Sequence, residues 1–362
     1  MAIFTDVLLD VTKNGHKLPT NEYKEFGLHP IIDQGQNDIA GYTDETSGLF
    51  SDVPAIIFGD HTRVIKYVDA PFFIGADGVK ILKAKDNKAN YKFLYYALSS
   101  AKIPNTGYNR HFKWLKEVDI PTYTEREQSQ IVSELDKVTA LIDLRKEQLE
   151  KLDLLVKSRF IELFGDPIRN EKGWPIVTLG EVAEIRIGPF GSLLHKEDYI
   201  VGGHALVNPS HIIDGNICTD DKLTVSDEKY EELSAYRLSI GDLVLGRRGE
   251  MGRCAVVYED GLLCGTGSII IRPKEKMKPY FLQNIISSPG YKRIIEDKAV
   301  GVTMMNLNVP IVSSLTIPLL PIDMQEQFIA FMQQTDKSKF EVNKSLEKLE
   351  ILKKALMQKY FG

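Results

Sequence analysis

The sequence predicts an α+β protein in which two β-rich globular domains alternate with two long helices. The segments 121–165 and 318–362 align without a gap at a constant offset of 197, and 11 of their 45 positions are identical. Both segments have helical periodicity, whereas residues 1–120 and 166–317 contain short β-type runs separated by turns. A duplication of this kind predicts two half-units related by a pseudo-twofold internal repeat.

The first domain, residues 1–120, contains β-rich runs that Gly, Asp and Asn turns separate. A short helix is expected from Tyr91 to Ser100. A basic and aromatic loop, Gly107 to Trp114, follows it and is the first candidate for a binding surface. Strands are expected at 54–58, 64–68 and 78–82.

The first long helix is predicted over 121–165. Alternate steps of four and three residues select a seam in which eight of ten positions are apolar, which is the heptad pattern of a coiled coil. Thr124 and Glu127 can form a capping pair, and Gly165 stands where a C-terminal cap belongs. The seam positions are Ile131, Leu135, Val138, Ile142, Arg145, Leu149, Leu152, Val156, Arg159 and Leu163.

The second domain, residues 166–317, repeats the layout of the first with different residues. It opens with Trp174 to Gly180, and a helix from Phe281 to Ser288 mirrors the one from Phe93 to Ser100. Strands are expected at 243–245, 254–258 and 268–271.

The second long helix is predicted over 318–362, with seven of ten seam positions apolar. Asp323 and Glu326 are its expected capping pair, and Gly362 its C-terminal cap. Two long helices with matching seams predict an antiparallel coiled coil. The alternative is two ordinary surface helices on separate domains.

Composition sets limits on function. A hydrophobic content of 43% is enough to build a core in each domain, and no apolar run approaches the roughly 18 residues of a membrane span. Without a signal-peptide pattern, a cytoplasmic location is expected. The net charge is −5, so DNA affinity would need local basic patches or a basic partner. Cys218, Cys254 and Cys264 form no disulfide framework and are expected to be buried thiols.

Enzyme signatures are weak. No phosphate-gripping G-x-x-x-x-G-K-[ST] motif occurs, and Asn208-Pro209 lacks the aromatic residue with which amino-methyltransferases stack a flipped base. Gly246 to Gly252 superficially resembles a nucleotide loop, but a tight β-turn presenting Arg247 and Arg248 fits the following strands better. Asp10 with Glu22-Tyr23-Lys24 has the order of a metal-nuclease motif, which chance also supplies, and the seven His have no metal-binding spacing.

Several blocks carry a family resemblance. They include the opening Trp174 to Glu181, the Ile-Pro pairs at 120/121 and 317/318, and the glutamines at the start of each helix. The whole chain resembles the specificity subunit of type I restriction–modification systems. The first domain departs from the pattern, because it lacks the Trp-x-x-x-x-Leu-Gly opening. The other carriers are Leu238 to Leu245, Arg247 to Arg253, Tyr42, Phe58 to His61 and Gly75 to Gly78.

The resemblance implies a non-catalytic protein that recognises DNA sequence. Residues 1–120 and 166–317 would be two target recognition domains, each recognising one half of a bipartite site on double-stranded DNA. The helices would set the spacing and dock two methyltransferase subunits, with restriction subunits joining the complex. No cofactor is expected in this chain, since S-adenosylmethionine, ATP and Mg²⁺ would belong to the partner subunits. No membrane partner is expected.

Candidate DNA-binding residues are those whose side chains suit phosphates or base edges and lie on predicted loops. In the first half they are Gln34, Gln36, Asn37, His61, Arg63, Asn109, Arg110, His111 and Lys113. In the second half they are Ser192, His195, Asn208, Ser210, His211, Arg247, Arg248, Arg253 and Asn306. The candidate partner-binding residues are Gln128, Gln130, Gln325 and Gln327.

Two other classes of protein remain open at this stage. A coiled-coil scaffold or adaptor, with globular halves that bind proteins, would suit the acidic charge. A stand-alone enzyme is the other. Salt-dependent binding to duplex DNA in the presence of a methyltransferase subunit separates a DNA-recognition subunit from both.

Overall fold

A computed structural model describes residues 1–75, 77–190, 192–249, 251–299 and 306–362. The chain divides into two compact units. The first unit consists of Met1–Leu149 with Glu341–Gly362, and the second of Glu150–Phe340. Each unit therefore contains one β-rich region and one part of each long helix. Ala76 and Glu250, which belong to two of the sequence blocks above, lie outside the described residues.

The β-rich region of the first unit is built from short strands and three short helices. Its strands are β1 (Ala2–Ile3), β2 (Leu8–Asp10), β3 (His29–Ile32), β4 (Gly41–Thr43), β5 (Ala55–Gly59), β6 (Ile65–Val68), β7 (Phe73–Ile74), β8 (Val79–Ala84) and β9 (Asp119–Ile120). Its helices are α1 (Phe4–Val7), α2 (Tyr91–Ser99) and α3 (Phe112–Leu115). The three strands and the helix that the sequence predicts are confirmed.

Two sheets make the core of this region. Strands β2, β8, β5 and β6 form an antiparallel sheet in that order, and β4, β3 and β7 form a second sheet in which β3 and β7 are parallel. Side chains alternate between the two faces of a strand. Accordingly, Ile56 and Phe58 of β5 pack with residues of α2 and α3, while Ile57 packs with Phe72 and Ile74. The central strand is thus buried on both faces.

The first strand of this region has no recognisable sequence motif, yet it is present. Ala2 pairs with Ile120 and Ile3 with Asp119, and the buried Phe4 then donates its amide to Val118 O over 3.0 Å. In the second unit, Leu179 of the Trp-x-x-x-x-Leu-Gly opening donates its amide to Leu315 O over 2.7 Å. Phe4 therefore takes the place of that leucine.

The second unit has more strands. They are β10 (Ile176–Thr178), β11 (Ala183–Ile187), β12 (Tyr199–Ile200), β13 (His204–Val207), β14 (Ile212–Ile213), β15 (Asn216–Ile217), β16 (Thr224–Val225), β17 (Leu243–Gly246), β18 (Cys254–Val256), β19 (Leu263–Cys264), β20 (Ser268–Pro273) and β21 (Thr316–Pro318). Its short helices are α5 (Leu179–Val182), α6 (Asp227–Glu232), α7 (Pro279–Ser287), α8 (Pro289–Lys298) and α9 (Val309–Ser313). The labels α4 (Glu125–Phe164) and α10 (Ile322–Phe361) belong to the two long helices.

The strand connections of the second unit repeat those of the first. The order β11, β20, β17, β18 corresponds to β2, β8, β5, β6, and the parallel pair β13 and β19 corresponds to β3 and β7. The pair β10 and β21 likewise corresponds to β1 and β9. The repeated layout predicted from the sequence is therefore present within each unit.

The two long helices are α4 (Glu125–Phe164) and α10 (Ile322–Phe361), each 40 residues long. In the first unit the start of α4 lies against the end of α10. Tyr360 donates its hydroxyl hydrogen to Glu134 over 2.7 Å, and Tyr123 donates its own to the main-chain oxygen of Tyr360 over 3.0 Å. Seam residues Ile131, Leu135, Val138 and Ile142 are buried.

In the second unit the end of α4 packs on the start of α10. The rings of Phe160 and Phe164 lie edge-on to Phe328, with centroids 5.4 and 5.3 Å apart. Lys339 forms an ion pair with Asp153. Within each unit, one end of α4 therefore packs on one end of α10, and apolar side chains are buried at this contact.

Of the two predicted N-terminal capping pairs, one is confirmed and one is wrong. Thr124 and Glu127 exchange bonds in a capping box, and the Glu127 carboxylate accepts from the Thr124 amide over 2.9 Å. The second helix instead begins at Ile322, which places Asp323 inside it. The Glu326 carboxylate pairs with Lys278 over 2.6 Å.

Within the described part of the chain, no helix is long and apolar enough to cross a membrane. Cys254 and Cys264 are buried as expected, but Cys218 is exposed, which corrects that prediction.

Candidate nucleic-acid interface

Three loops of the first unit meet at Gln34. Its side-chain oxygen accepts from the His61 amide over 3.2 Å, and its side-chain nitrogen donates to Asp77 O over 2.9 Å. Thr62 also donates its hydroxyl hydrogen to Gln34 O over 2.6 Å. The loops after β3, after β5 and after β7 are thereby tied together. Gln34, predicted as a base contact, has both ends of its amide engaged in holding this loop cluster.

The fourth loop of this cluster is Pro104 to Arg110. It contains Tyr108, which was not among the candidates selected from the sequence. The ring of Tyr108 stacks on His61, with centroids 4.6 Å apart and planes 6° from parallel, and Tyr108 is 87% exposed. His61 Nδ1 lies 3.2 Å from the main-chain oxygen of Asn109, so this nitrogen carries the hydrogen. The basic and aromatic composition of the loop was the available signal.

His111 is not a surface residue, which corrects its prediction as a DNA contact. It is fully buried, and its Nδ1 donates to Asp60 O over 2.9 Å. Its other ring nitrogen lies 3.4 Å from the Thr106 hydroxyl. Asp60 is itself 3% exposed, and its carboxylate accepts from the Phe112 amide over 2.7 Å. The predicted contact is thus the internal anchor of the loop.

The remaining candidates of the first unit differ in how freely they can reach a ligand. Lys113 is exposed with its ammonium 4.1 Å from the Trp114 ring centroid. Arg63 is half-buried and donates to Ile103 O over 3.3 Å. Gln36, Asn37, Asn109 and Arg110 are exposed.

Lys66 is a buried cation that sequence reasoning missed. Its ammonium donates to Asn37 O over 2.5 Å and lies 3.5 Å from Asp33. Burial lowers the pKa of this lysine, and the Asp33 carboxylate opposes that shift. It fixes the loop that carries Gln36 and Asn37 to the strand β6. The alternating sequence pattern of β6 does not indicate this role for Lys66.

The corresponding loops of the second unit also converge. The loop after β13 begins at Asn208, whose side chain lies beside Gly265, where a Cβ atom would come within 2.1 Å of its oxygen. Pro209 lies beside Gly246 at the end of β17. The approach at Gly265 leaves no room for a Cβ atom, and the approach at Gly246 is tight, at 3.2 Å. His211, predicted as a DNA contact, is 6% exposed and donates from Nδ1 to Leu206 O over 2.7 Å, so it is a structural residue.

Arg247 corrects the expectation of a turn that presents two arginines. Arg248 is exposed, but Arg247 is only 5% exposed, and its Nε has no hydrogen-bond partner among the described residues. Burial and the neighbouring Arg248 lower the pKa of the Arg247 guanidinium. The Leu307 amide donates to Arg247 O over 3.1 Å, which brings Asn306 to the same place. The buried side-chain oxygen of Asn306 also lacks a partner within the described ranges.

The other candidates of the second unit lie around this cluster. Arg253 is half-buried and immediately precedes β18. Ser192, His195 and Ser210 are exposed, and the His195 amide donates to the Asp198 carboxylate over 2.6 Å.

The two clusters occupy corresponding places in the repeated fold. Asp60 follows β5 and accepts from the His111 amide, while Arg247 follows β17 and accepts from the Leu307 amide. A buried carboxylate in one unit thus stands where the other has a buried guanidinium. The two units therefore place side chains of different chemistry at the corresponding position.

The four partner-binding candidates include both buried and exposed residues. Gln325 is fully buried, accepts from the Lys278 amide over 2.9 Å and donates to Leu320 O over 2.9 Å. It is a structural residue, which corrects that prediction. Gln128 is half-buried and donates to Tyr123 O, whereas Gln130 and Gln327 are exposed.

No group of three or more His, Cys, Asp or Glu side chains suited to a metal ion occurs in the described ranges. Asp10 of the nuclease-like pattern instead accepts from the Thr12 hydroxyl and pairs with Lys80 over 3.2 Å.

Comparison with known proteins decides the family. The family described as the type I restriction modification DNA specificity domain matches residues 6–154 and 171–353, which is most of the chain. This chain belongs to that family. The predicted function is confirmed at that level: a specificity subunit recognises DNA sequence for a type I restriction–modification system and is not itself the enzyme.

Two specificity subunits of Escherichia coli show the extent of the relationship. The chain is 24% identical to the EcoR124I/EcoR124II specificity subunit over 342 residues, which cover 87% of this chain and 81% of the relative. It is 22% identical to the EcoBI specificity subunit over 316 residues, or 77% of this chain and 67% of the relative.

Solved structures share the fold of this specificity subunit. The S subunit of a type I restriction–modification system from M. genitalium aligns with a TM-score of 0.61 at 17% identity, over 99% of this chain and 95% of that chain. A structure described as underlying assembly and conformational transition of the type I R-M system aligns with a TM-score of 0.60 at 18% identity, with the same coverage.

Proposed function

We propose that each unit recognises one half of a bipartite DNA site through its own loop cluster, with residues 1–120 and 166–317 as the two target recognition domains. The observation that carries this proposal is that polar candidates fall on corresponding loops of the repeated fold. Gln36 and Ser210 follow the equivalent strands β3 and β13, and Arg248 lies in the turn equivalent to His61. The same proposal assigns residues 121–165 and 318–362 to the two long helices that follow these domains.

The exposed members of each cluster supply the contacts. Asparagine and glutamine side chains suit adenine edges, and arginine suits guanine edges or phosphates. In the first unit Arg110 is exposed, and so is Asn109, whose side-chain nitrogen donates to Thr106 O and whose side-chain oxygen is left for a ligand. In the second unit Arg248 is exposed. Because the chain as a whole carries a charge of −5, these local cations and the partner subunits together provide the phosphate affinity.

The helices serve as an antiparallel coiled-coil spacer and as the docking surface for two methyltransferase subunits. Their outer faces carry apolar side chains that the seam does not bury. In the first unit these are Leu141 and Leu144 of α4, 45% and 58% exposed, and Ile351 of α10, 69% exposed. Exposed apolar side chains of this size on a helix pair favour contact with further helices. Gln130 and Gln327 remain the exposed polar candidates for docking.

The cofactors belong to the partners in this proposal. S-adenosylmethionine is placed in the methyltransferase subunits, and ATP with Mg²⁺ in the restriction subunits that join the complex. The cellular location is proposed to be the cytoplasm.

The test is equilibrium binding of duplex DNA by the chain assembled with its methyltransferase subunits, measured at several salt concentrations. We expect sequence-specific binding whose logarithmic affinity falls linearly with the logarithm of salt concentration. The methyltransferase subunits alone are the control for non-specific affinity. Salt-insensitive binding, or equal affinity for all sequences, would favour the scaffold hypothesis instead.

A further inference from the structure

A preformed pair of stacked rings projects from the first unit. Tyr108 lies almost parallel to His61, with ring centroids 4.6 Å apart, and is still 87% exposed, so most of its ring surface is open to a ligand. Exposed single aromatic residues are ordinary on protein surfaces. A pair stacked face to face on two loops of the candidate DNA-binding cluster is a more organised feature.

The His61 ring and the loop that carries Tyr108 are held in place before any ligand arrives. His61 is fixed through its amide by Gln34 and through Nδ1 by the main-chain oxygen of Asn109. The Asn109 side chain donates to Thr106 O over 2.6 Å, which closes the loop around Tyr108.

This closed loop is fixed in turn to the interior. Thr106 contacts the buried His111, which is bonded to Asp60. The cost of ordering the loop and the His61 ring is therefore met by folding rather than by binding.

The surroundings of Tyr108 indicate what it contacts. Its neighbour Arg110 is exposed and suits a phosphate, and the side-chain oxygen of the exposed Asn109 suits a donor on a base edge. The exposed ring face itself is uncharged, so it adds nothing to phosphate affinity. A flat apolar face beside such groups fits the face of a nucleobase, because bases stack on aromatic side chains whatever their sequence.

We propose that the Tyr108–His61 pair is a stacking platform for a nucleobase that leaves its stack when the first half-site binds. The inference rests on the proposed function and names the part of the DNA that this loop engages. Both faces of a base in a duplex are covered by its neighbours, so the platform requires one base to unstack locally. Unstacking costs a few kcal/mol, and this cost is smallest at flexible pyrimidine–purine steps. Tyr108 thereby adds preference for deformable sequences at a position where no base edge needs to be contacted.

The experiment uses the full chain assembled with its methyltransferase subunits and compares Tyr108→Ala with Tyr108→Phe. Loss of one base–aromatic stack is expected to weaken binding by about 10-fold, within a range of roughly 5- to 100-fold. The salt dependence is expected to stay unchanged, because no charge is lost. Phenylalanine keeps the ring face and is expected to bind like the wild type. Tyr258→Ala, which removes a 61% exposed tyrosine of the second unit, is the matched control.

The second readout is fluorescence of 2-aminopurine placed in turn at each position of the first half-site. At one position the probe is expected to be more strongly quenched in the wild-type complex than in the Tyr108→Ala complex. Unchanged affinity and unchanged fluorescence in Tyr108→Ala overturn the platform. Equal loss in Tyr108→Phe and Tyr108→Ala overturns it in favour of a hydrogen bond from the hydroxyl. If the wild-type complex shows no specific DNA binding, the proposed function itself fails.

Discussion

His111 donates both its main-chain amide and its Nδ1 to the main-chain oxygen of Asp60, over 2.8 and 2.9 Å. A side chain chosen from the sequence as a DNA contact is thus the link that joins the loop of Tyr108 to the central strand β5. The polar groups of His111 thus form hydrogen bonds inside the protein rather than with DNA.

We expect His111→Ala to lower the free energy of unfolding by about 2–3 kcal/mol, because Asp60 loses a buried donor and the Thr106 loop loses its anchor. Urea-induced unfolding followed by tryptophan fluorescence measures this. The neighbouring exposed Lys113→Ala is the control and is expected to change stability by less than about 0.5 kcal/mol. Equal stability of the two variants would contradict the anchoring role.

The extent to which the fold was predictable follows from periodicity. The strand β5 is predicted by a run of apolar residues and the helix α4 by a heptad pattern, and both patterns depend only on residues that are near in sequence. The strand β1 could not be found in this way, because it is two residues long and is defined by its pairing with β9. Its partner lies more than a hundred residues along the chain.

The candidate site was less predictable for a related reason. Residue type shows that Gln325 or His211 can form hydrogen bonds, but it does not show whether the partner is a ligand or a main-chain group from elsewhere. Gln325 accepts from the amide of Lys278, and this contact exists only after folding. The corresponding positions of Asp60 and Arg247 became visible only through the shared strand order of the two units.

The cysteines are expected to differ in reactivity. Burial raises the pKa of the Cys254 and Cys264 thiols, and the reactive thiolate is correspondingly scarce. Cys218 is exposed. Brief treatment of the native protein with iodoacetamide at pH 8 should label Cys218 alone, as determined by peptide mass spectrometry, and denatured protein should be labelled at all three. Rapid native labelling of Cys264 would show that its strand opens readily.

The two adjacent arginines of the second unit should separate a folding role from a binding role. Arg247→Met removes a buried cation whose Nε is unpartnered within the described residues, so we expect stability to be unchanged or slightly higher. DNA affinity should nevertheless fall if the guanidinium serves the half-site. Arg248→Ala should leave stability unchanged and reduce the salt slope by about one. A large loss of stability in Arg247→Met would identify this arginine as structural.

Exchange of residues 1–120 with the equivalent domain of a relative should change one half of the recognised site and leave the other half unchanged. The reason is that each unit has its own sheets and its own loop cluster. Selection of bound sequences from a random DNA library by the assembled complex measures both halves at once. A change in both halves would contradict independent recognition.

In the proposed complex the two long helices set the distance between the half-sites. Seven residues inserted at Gln148 of α4 and at Ser345 of α10, which correspond at the offset of 197, add one heptad to each helix and keep the seam in register. The insertion lengthens the helix pair by about 10 Å, or about three base-pair steps. Three steps also rotate the second half-site by about 100° around the DNA axis, so the complex must twist to follow.

We therefore expect either a preferred site whose central gap is two or three base pairs longer, or a folded protein that binds much more weakly. Selection from a library of randomised gap lengths measures the first outcome, and circular dichroism monitors folding separately. Insertion of two residues into α4 alone is the control, since it turns the following apolar positions away from the seam and should lower the melting temperature. Full-strength binding at the original gap by the doubly extended chain would show that the helices do not set the spacing. The apolar residues exposed on the helices, such as Leu144 and Ile351, would then serve partner docking only.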